Sequence, residues 1–211
     1  MSSVIVCGSA RRFVQPNRAI VSLGLSVLAA DAPAALDQVS ARSQVLAGVL
    51  DGLGIQRCDW VTDGVSVAEE YEWRKDANVF VGHRATTGIT VTLGDPDQIA
   101  PLLREAVGTA QGQVRGITWQ VDANNPAHHD LLGEAARDAR SRATAYVQAL
   151  GLTLGAVELI SEAPISVGPT PVADIAPMAR SMKASASTAE MSVSGGQIEL
   201  ATEVHVRFAV L

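Results

Sequence analysis

The segment GQIELATEVHVRFAV, at residues 196–210, decides the fold class of this chain. Apolar and polar side chains alternate along it, which is the period of a β-strand with one buried face and one face in water. This alternation is typical of antiparallel sheets, because strands of parallel sheets are usually apolar on both faces. The buried face is predicted to hold Ile198, Leu200, Val204, Val206, Phe208 and Val210, and the wet face Glu199, Glu203, His205 and Arg207.

Earlier segments of the chain have the same strand character. The turn-forming pair Pro16-Asn17 predicts a hairpin between the first two strands. The polar run at 74–78 predicts the tip of a second, longer hairpin. The predicted strands before the last one are residues 3–14, 18–29, 60–73, 79–93, 114–121 and 154–162.

Three helices are predicted between these strands. Asp31 can cap the first, and Asp95-Pro96 and Asn125-Pro126 place a capping residue before a proline whose missing amide costs nothing there. The alanines of the third helix indicate that it sits close to its neighbour. The predicted inner faces are Leu36, Val39, Leu46, Val49, Leu50 and Leu53; then Ile99, Leu102, Leu103, Ala106, Val107 and Ala110; then Leu131, Leu132, Ala135, Ala139, Ala143, Tyr146, Val147 and Leu150.

The resulting order is ββαββαβαββ, which favours an α+β fold with two helix-backed, mainly antiparallel sheets over a doubly wound parallel sheet. We expect a single domain over residues 1–211. A division into two lobes, about 1–58 plus 152–211 and 59–151, fits this order, with the C-terminal strand completing one lobe. Residues 164–192 contain four prolines and no periodicity, which predicts a flexible arm.

Charge and hydropathy exclude several classes of function. The net charge is −6, and Arg137, Arg140 and Arg142, the nearest approach to a basic cluster, are interrupted by Asp138. The chain therefore lacks the basic footprint that nucleic acid requires. No apolar run reaches 18 residues, so no integral membrane segment is predicted. Charged residues make up only 18% of the chain. This value fits an alanine-rich core or a surface covered by another subunit.

The start of the chain, MSSVIVCG, resembles a strand and not a signal peptide. As given, the chain is expected to stay in the cytoplasm. If a leader was removed from it, a periplasmic or secreted location is expected instead.

Histidines give the most tempting metal-binding pattern, His128-His129-Asp130. Adjacent histidines on a helix point about 100° apart, whereas a chelating pair needs a spacing of four residues. His83 and His205 lie on predicted strands, and a site combining them requires a contact that the sequence does not supply. We therefore predict no metal site and no cofactor.

Other reactive side chains are also interpreted as structural. Cys7 and Cys58 lie in or beside apolar strands and are expected to be buried small hydrophobes, with a bridge between them left open. The chain contains no nucleophile elbow, phosphate loop or dinucleotide fingerprint. Glu69, Glu70 and Glu72 suit an exposed hairpin, and Trp60, Trp73 and Trp119 suit core or interface anchors. No catalytic residue is predicted.

Taken together in order, several motifs resemble the SIMPL-domain family, a bacterial group of largely unknown function. The stretches that carry the resemblance run from Ala136 to Ala143, from Ala149 to Val157 and from Ile160 to Glu162, with Gly8, Pro16, Ala19, Gly54-Ile55, Asp59, Thr62, Tyr71, Val81-Gly82, Ala85 and Gly196 in family order. Three positions depart from the family pattern. Asn17 stands where Asp is common, Arg142 where Lys is common, and His83 where Tyr is common.

The resemblance implies ring-like homo-oligomers, an association with oxidative-stress tolerance and, in many relatives, an export signal. Together with the low charge, it favours a non-enzymatic, self-assembling protein whose protein partner is unknown. The alternative is a small-ligand binding module that uses a cleft between the lobes.

Overall fold

The computed structural model describes residues 2–165 and 194–211, which form seven strands and three α-helices. The strands are β1 (Ser3–Val14), β2 (Arg18–Ala29), β3 (Trp60–Arg74), β4 (Ala77–Leu93), β5 (Gln113–Gln120), β6 (Leu154–Ser161) and β7 (Ile198–Val210). The helices are α1 (Ala32–Gly52), α2 (Ile99–Gly108) and α3 (Pro126–Ala149), with short 3-10 turns at Arg57–Asp59 and Pro96–Gln98. Both the α+β class and the predicted element order are confirmed.

Each predicted capping residue accepts a hydrogen bond from a first-turn amide, which satisfies a donor that the helix itself leaves unpaired. The second capping residue, Asp95, precedes a 3-10 turn, which is tighter than an α-helix and leads into α2. The three bonds measure 2.8, 2.9 and 3.0 Å and join Asp31 to Ala34, Asp95 to Asp97, and Asn125 to Ala127.

The chain divides into two compact units. The three-stranded unit comprises the described residues of 1–14, 123–190 and 197–211, and the four-stranded unit those of 15–122 and 191–196. These boundaries differ from the two lobes suggested by the sequence, because α1 packs on β2 and β4 and therefore belongs with them.

In the three-stranded unit the sheet has the order β1-β7-β6, and both pairings are antiparallel. The β1–β7 register runs from Ser3 opposite Ala209 to Val14 opposite Ile198. Helix α3 packs on β1 and β7, and its alanines at 135, 139 and 143 are fully buried there. The alternating face of β7 points into this core at Val204, Val206 and Phe208, as the sequence predicts.

The small residues bring α3 very close to β1. A Cβ placed on Gly8 would lie 2.1 Å from the backbone oxygen of Ala135 and 2.5 Å from the backbone nitrogen of Ala139. Only a glycine fits at that point, because backbone atoms cannot swing aside as a long side chain can. The expected close approach of the third helix is confirmed.

In the four-stranded unit the sheet order is β3-β4-β2-β5, again antiparallel throughout. Helices α1 and α2 cover one face of this sheet. Its core is built from larger aliphatic side chains, which are Leu23, Leu25, Leu46, Leu50, Ile89, Leu93, Ile99, Leu102, Val21, Val39 and Val91.

The predicted hairpin between the first two strands is wrong. β1 pairs with β7 and β2 pairs with β4 and β5, so the two neighbours in sequence lie in different sheets. The Pro16-Asn17 turn therefore carries the chain from one sheet to the other. Local turn chemistry here is outweighed by pairing between distant segments.

Several predicted inner-face residues are exposed instead. On α3 the buried stripe is narrower than expected: it consists of four alanines with Leu131 and Val147. α2 also ends at Gly108, before Ala110, the last residue of its predicted inner face. The residues that lie outside the buried stripes are Leu36, Val107, Leu132, Tyr146 and Leu150.

The expected flexible arm at 164–192 falls almost entirely on residues 166–193, which lie outside the described residues. Within the described part of the chain, no helix combines the length and the apolarity needed to cross a bilayer.

Candidate functional site

The β3–β4 hairpin extends beyond the sheet to which it belongs. β4 pairs with β2 from Leu93, opposite Ala19, to His83, opposite Ala29. Beyond that point the described strands leave β4 paired with β3 alone, so residues 70–82 form a two-stranded ribbon. We call this ribbon the hairpin tip.

A backbone irregularity marks the place where the hairpin tip leaves the sheet. The β3–β4 register shifts between Glu70, which lies opposite Gly82, and Tyr71, which lies opposite Phe80. Gly82 has a φ of +140°, and a Cβ there would lie 2.4 Å from the carbonyl oxygen of Ala29. Only glycine meets both conditions, so the bulge is tied to this residue.

The tip closes with two residues of positive φ, Lys75 at 47° and Asp76 at 60°. Two successive left-handed residues are the signature of a type I′ turn, whose twist matches that of the flanking strands. The predicted hairpin tip at 74–78 is confirmed.

Aromatic side chains gather on one face of the hairpin tip. Tyr71 and Phe80 are cross-strand partners with ring centroids 5.6 Å apart, and Phe80 meets the ring of His83 at 5.4 Å, both edge to face. Trp73 lies two residues beyond Tyr71 and therefore on the same face. We call Tyr71, Trp73, Phe80 and His83 the aromatic patch.

The aromatic patch is open to solvent. Trp73 is 68% exposed, Tyr71 51% and Phe80 46%. His83 shares its face with the buried Ala85, so the patch continues the helix-covered face of the sheet beyond the helices. Exposed aromatic groups of this density are uncommon on a surface that meets only water.

The opposite face of the hairpin tip is charged. Arg84 forms an ion pair with Glu70 at 3.1 Å and also donates to Ser26 Oγ at 3.2 Å. The hydrogen bond from Arg84 lowers the pKa of Glu70. Arg74 pairs with Glu72 on the same face. The tip is therefore amphipathic, with an aromatic face and a charged face.

Each glutamate suggested as a paired carboxylate has its own partner. On the aromatic face, Glu69 accepts a hydrogen bond of 2.7 Å from the Tyr71 hydroxyl, and this bond raises the pKa of Tyr71. Glu70 and Glu72 are held by different arginines. The three carboxylates therefore do not share a proton or a reacting group.

β3 also forms an edge of the four-stranded sheet, so one side of its backbone has no neighbouring strand among residues 2–165 and 194–211. Val65 and Val67 are exposed along it. Beside them, an open groove of about 150 Å³ between α1 and β3 is lined by Val39, Ser40, Ser43, Thr62, Val65 and Thr87. β3 contains neither proline nor lysine, the residues with which many proteins block an exposed edge.

Asp130, the third residue of the histidine pattern at the start of α3, has a structural role. Arg12 on β1 pairs with Asp130 at 3.0 Å and also with Glu134, which ties the first turns of α3 to the sheet. His129 is exposed. In the parts of the chain that the structure describes, no three His, Cys, Asp or Glu side chains are arranged to hold a metal ion.

The two cysteines are free and belong to different units. Cys58 is exposed in the Arg57–Asp59 turn, so its predicted burial is wrong. Cys7 is half-buried and lies opposite His205 in the β1–β7 register. Burial raises the pKa of the Cys7 thiol and the nearby Glu203 raises it further, which keeps the sulfur protonated and weakly nucleophilic.

The tryptophans divide between two roles. Trp60 and Trp119 pack partly buried against the core of the four-stranded unit, and Arg57 lies 4.0 Å from the Trp60 ring. Trp73 alone is exposed at the hairpin tip. The sequence did not single out the aromatic patch, although the alternation of Tyr71 and Trp73 with glutamates near a hairpin end is the signal that predicts it.

Comparison with known proteins supports one assignment. No curated protein matches the chain. The family model SIMPL, described as a protein of unknown function (DUF541), matches residues 4–208. A match over nearly the whole chain, together with the two helix-backed antiparallel sheets, places this protein in the SIMPL family.

Proposed function

We propose that this protein acts by self-association, and that the aromatic patch and the open edge of β3 form the surface that meets a second copy of the chain. The observation that carries the proposal is the exposure of three aromatic side chains on one face of a ribbon that extends beyond its sheet. The protein would then work as an assembly and not through a catalytic centre.

The energetics of the patch favour burial. About half of each of three aromatic side chains is exposed, which leaves an apolar surface on the order of 300 Å² at 150–250 Å² per side chain. At about 25 cal/mol per Å², covering it would contribute several kcal/mol before the costs of association. A patch of this size lies in the range that often marks an interaction site.

The patch alone is smaller than a stable interface, which buries about 800 Å² on each partner. The edge of β3 can supply the remainder, because it runs directly from the patch along Val67 and Val65. An added strand would satisfy the unpaired backbone groups along that edge.

A second copy is a suitable occupant because β3 can pair with itself. Antiparallel pairing about a two-fold axis at Val67 would set Glu69 opposite Val65 and Glu70 opposite Gly64. No two carboxylates would then face each other, although β3 is acidic. An interface of this kind uses the same surface on both copies, which is the commonest form of dimer.

Binding is a better account of the described residues than catalysis. Their most reactive grouping is Cys7 opposite His205, and the raised pKa of that thiol disfavours the thiolate. The carboxylates of the hairpin tip are occupied by arginine or tyrosine partners.

Sedimentation velocity of the purified full chain tests the proposal. We expect the wild type to sediment as an oligomer and the double variant Tyr71→Ala, Trp73→Ala to shift toward the monomer. Tyr146→Ala is the matched control, because that tyrosine is 62% exposed on α3, and it should leave assembly unchanged. Far-ultraviolet circular dichroism should be the same for all three proteins.

A separate variant tests the edge. Val65→Lys places a charge on the open edge and should weaken assembly without altering the aromatic patch. A monomeric wild type, or a double variant that assembles as the wild type does, would rule the proposal out.

A further inference from the structure

The face of the four-stranded sheet opposite α1 and α2 contains a second arrangement, distinct from the aromatic patch. Gly88 on β4 lies directly opposite Gly24 on β2 and also opposite Gly64 on β3. The neighbouring residues Leu23, Leu25 and Ile89 point into the helix-covered core, so Gly24 and Gly88 belong to the other face. Three adjacent strands therefore have no side chain at this level.

Both edge strands bulge at this same level. β3 inserts Asp63 between Thr62, opposite Ile89, and Gly64. β5 inserts Arg115 between Val114 and Gly116. Bulges commonly redirect a side chain beside a functional site, and here the two extra residues carry opposite charges.

The side chains of these bulged residues converge over the bare strands. A Cβ on Gly24 would lie 2.3 Å from Arg115 Nε, which shows that the guanidinium rests on that glycine. A Cβ on Gly88 would lie 2.9 Å from Asp63 Oδ2 and 3.0 Å from Arg115 Nη1. Asp63 Oδ2 and Arg115 Nη1 both lie within 3.0 Å of this Cβ position, so the distance between the two atoms is less than twice 3.0 Å.

The two charges approach each other without pairing. The ion pairs found in the described residues do not include Asp63 with Arg115. Asp63 Oδ2 accepts a hydrogen bond of 2.9 Å from the Thr90 hydroxyl, which leaves its other acceptor positions open. Asp63 and Arg115 are both exposed, so solvent reaches the gap between them.

We propose that Asp63 and Arg115, above the Gly24–Gly88 floor, form a binding site for a small zwitterion with adjacent carboxylate and ammonium groups, such as a free α-amino acid. The Arg115 guanidinium can bind a carboxylate through two parallel hydrogen bonds, and Asp63 can accept from the ammonium. The missing side chains at Gly24 and Gly88 leave room for the charged ends of Arg115 and Asp63 to lie against the sheet, where a ligand can meet both.

The opposite charges of Asp63 and Arg115 favour a zwitterionic ligand over a simple anion or cation. A simple anion is attracted by Arg115 and repelled by Asp63, and a simple cation meets the reverse arrangement. Only a ligand that carries both charges gains from both residues. Binding is expected to be weak, since the two side chains are exposed and water screens them.

Titration of isotope-labelled full-length protein with L-alanine, followed by amide chemical shifts, tests this site. We expect saturable shifts at Gly24, Gly88 and their neighbours. Propionate carries only the carboxylate of L-alanine, and ethylammonium carries only its ammonium group. Each should bind at least about tenfold more weakly than L-alanine, because each lacks the hydrogen bonds to either Asp63 or Arg115.

Three variants locate the binding. Arg115→Gln and Asp63→Asn should each weaken L-alanine binding about tenfold or more. Arg11→Gln is the matched control, because Arg11 is an exposed arginine on β1, and it should bind as the wild type does. Propionate that binds as tightly as L-alanine would overturn the proposal, as would L-alanine binding that is absent or insensitive to both site variants.

Failure of this test leaves the self-association proposal untouched. The aromatic patch lies on the helix-covered face of the same sheet, and Arg115 belongs to β5, at the opposite edge from β3, so Arg115→Gln alters neither part of the proposed self-association surface.

Discussion

The two units solve the same problem, a helix packed on an antiparallel sheet, with different side chains. In the three-stranded unit, α3 meets β1 and β7 through Ala135, Ala139 and Ala143, with Gly8 beneath them. In the four-stranded unit, α1 and α2 meet the sheet through leucine, isoleucine and valine. The first interface is close because the helix contributes small side chains at its centre, and the second is thicker because large side chains fill it.

This difference sets what each interface tolerates. The close interface buries little apolar area per residue, so its stability depends on fit and on polar ties at its rim, such as the bond from the Ser9 amide to Asp138. The thick interface draws its stability from buried volume. Added atoms should therefore damage the first, and removed atoms the second.

The largest effect is expected from Gly8→Val. One added carbon already overlaps with the backbone of Ala135 and Ala139, and valine adds three. We expect a loss of more than about 4 kcal/mol in the free energy of unfolding, the range of severe overpacking. Urea denaturation measures it. A variant within about 1 kcal/mol of the wild type would contradict the close packing of α3 on β1.

Removing volume from the thick interface should have the next largest effect. Leu50 is fully buried on α1, and Leu50→Ala is expected to cost about 3 kcal/mol through lost burial and a residual cavity. Leu150→Ala is the matched control, since Leu150 is 74% exposed after α3. Chemical denaturation of both variants should separate them clearly, and equal costs would remove the contrast between buried and exposed leucines.

A smaller substitution sharpens the comparison within α3 itself. Ala139→Gly and Ala145→Gly should each cost about 1 kcal/mol through the lower helix propensity of glycine. Ala139 is buried and Ala145 exposed, so the first variant should lose about 1 kcal/mol more for its buried methyl group. Identical melting temperatures for the two variants would show that the methyl of Ala139 contributes nothing to the interface.

The smallest effect is expected at the hydrogen bond from the Ser9 amide to Asp138, at the edge of the interface between α3 and β1. The hydrogen bond from the Ser9 amide, followed by that from Arg142, lowers the pKa of Asp138. A carboxylate with a lowered pKa in the folded state stabilises the protein above its ordinary pKa, and this contribution is lost as pH falls through the folded value.

Asp138→Asn removes that titration. The variant should be slightly less stable than the wild type near neutral pH, and the gap should close as the solution is acidified below the ordinary aspartate range. Thermal melts at a series of pH values measure this gap. A gap that stays constant with pH would show that Asp138 acts only as a neutral acceptor.

Elements that depend on local periodicity could be predicted from the sequence. The strand and helix order, the capping residues and the hairpin tip at 74–78 all follow from side-chain spacing and turn chemistry within a short window. The partner of β1 could not be predicted in this way. Its register with β7 is set by the fit of two faces at opposite ends of the chain, while the nearby Pro16-Asn17 turn favours a different pairing.

The two proposed binding surfaces were harder to predict for the same reason. A tryptophan on a strand is expected to be buried in a core. Trp73 is exposed because β2 ends at Ala29, before it reaches the hairpin tip, and the sequence around Trp73 does not show where β2 ends. Asp63 and Arg115 each stand alone in the sequence and converge because two separate strands bulge at one level of the sheet. Neither the exposure of Trp73 nor the convergence of Asp63 and Arg115 can be seen in the sequence next to these residues.

The position of β7 between β1 and β6 has a consequence for biosynthesis. The ribosome delivers β1 first and β6 much later, yet neither strand has its partner until β7 emerges. Most of the four-stranded unit is one continuous segment and can fold during translation, while the first strand stays unpaired and exposed to chaperones. Pairing between such distant segments also slows folding, so the three-stranded unit is expected to form last.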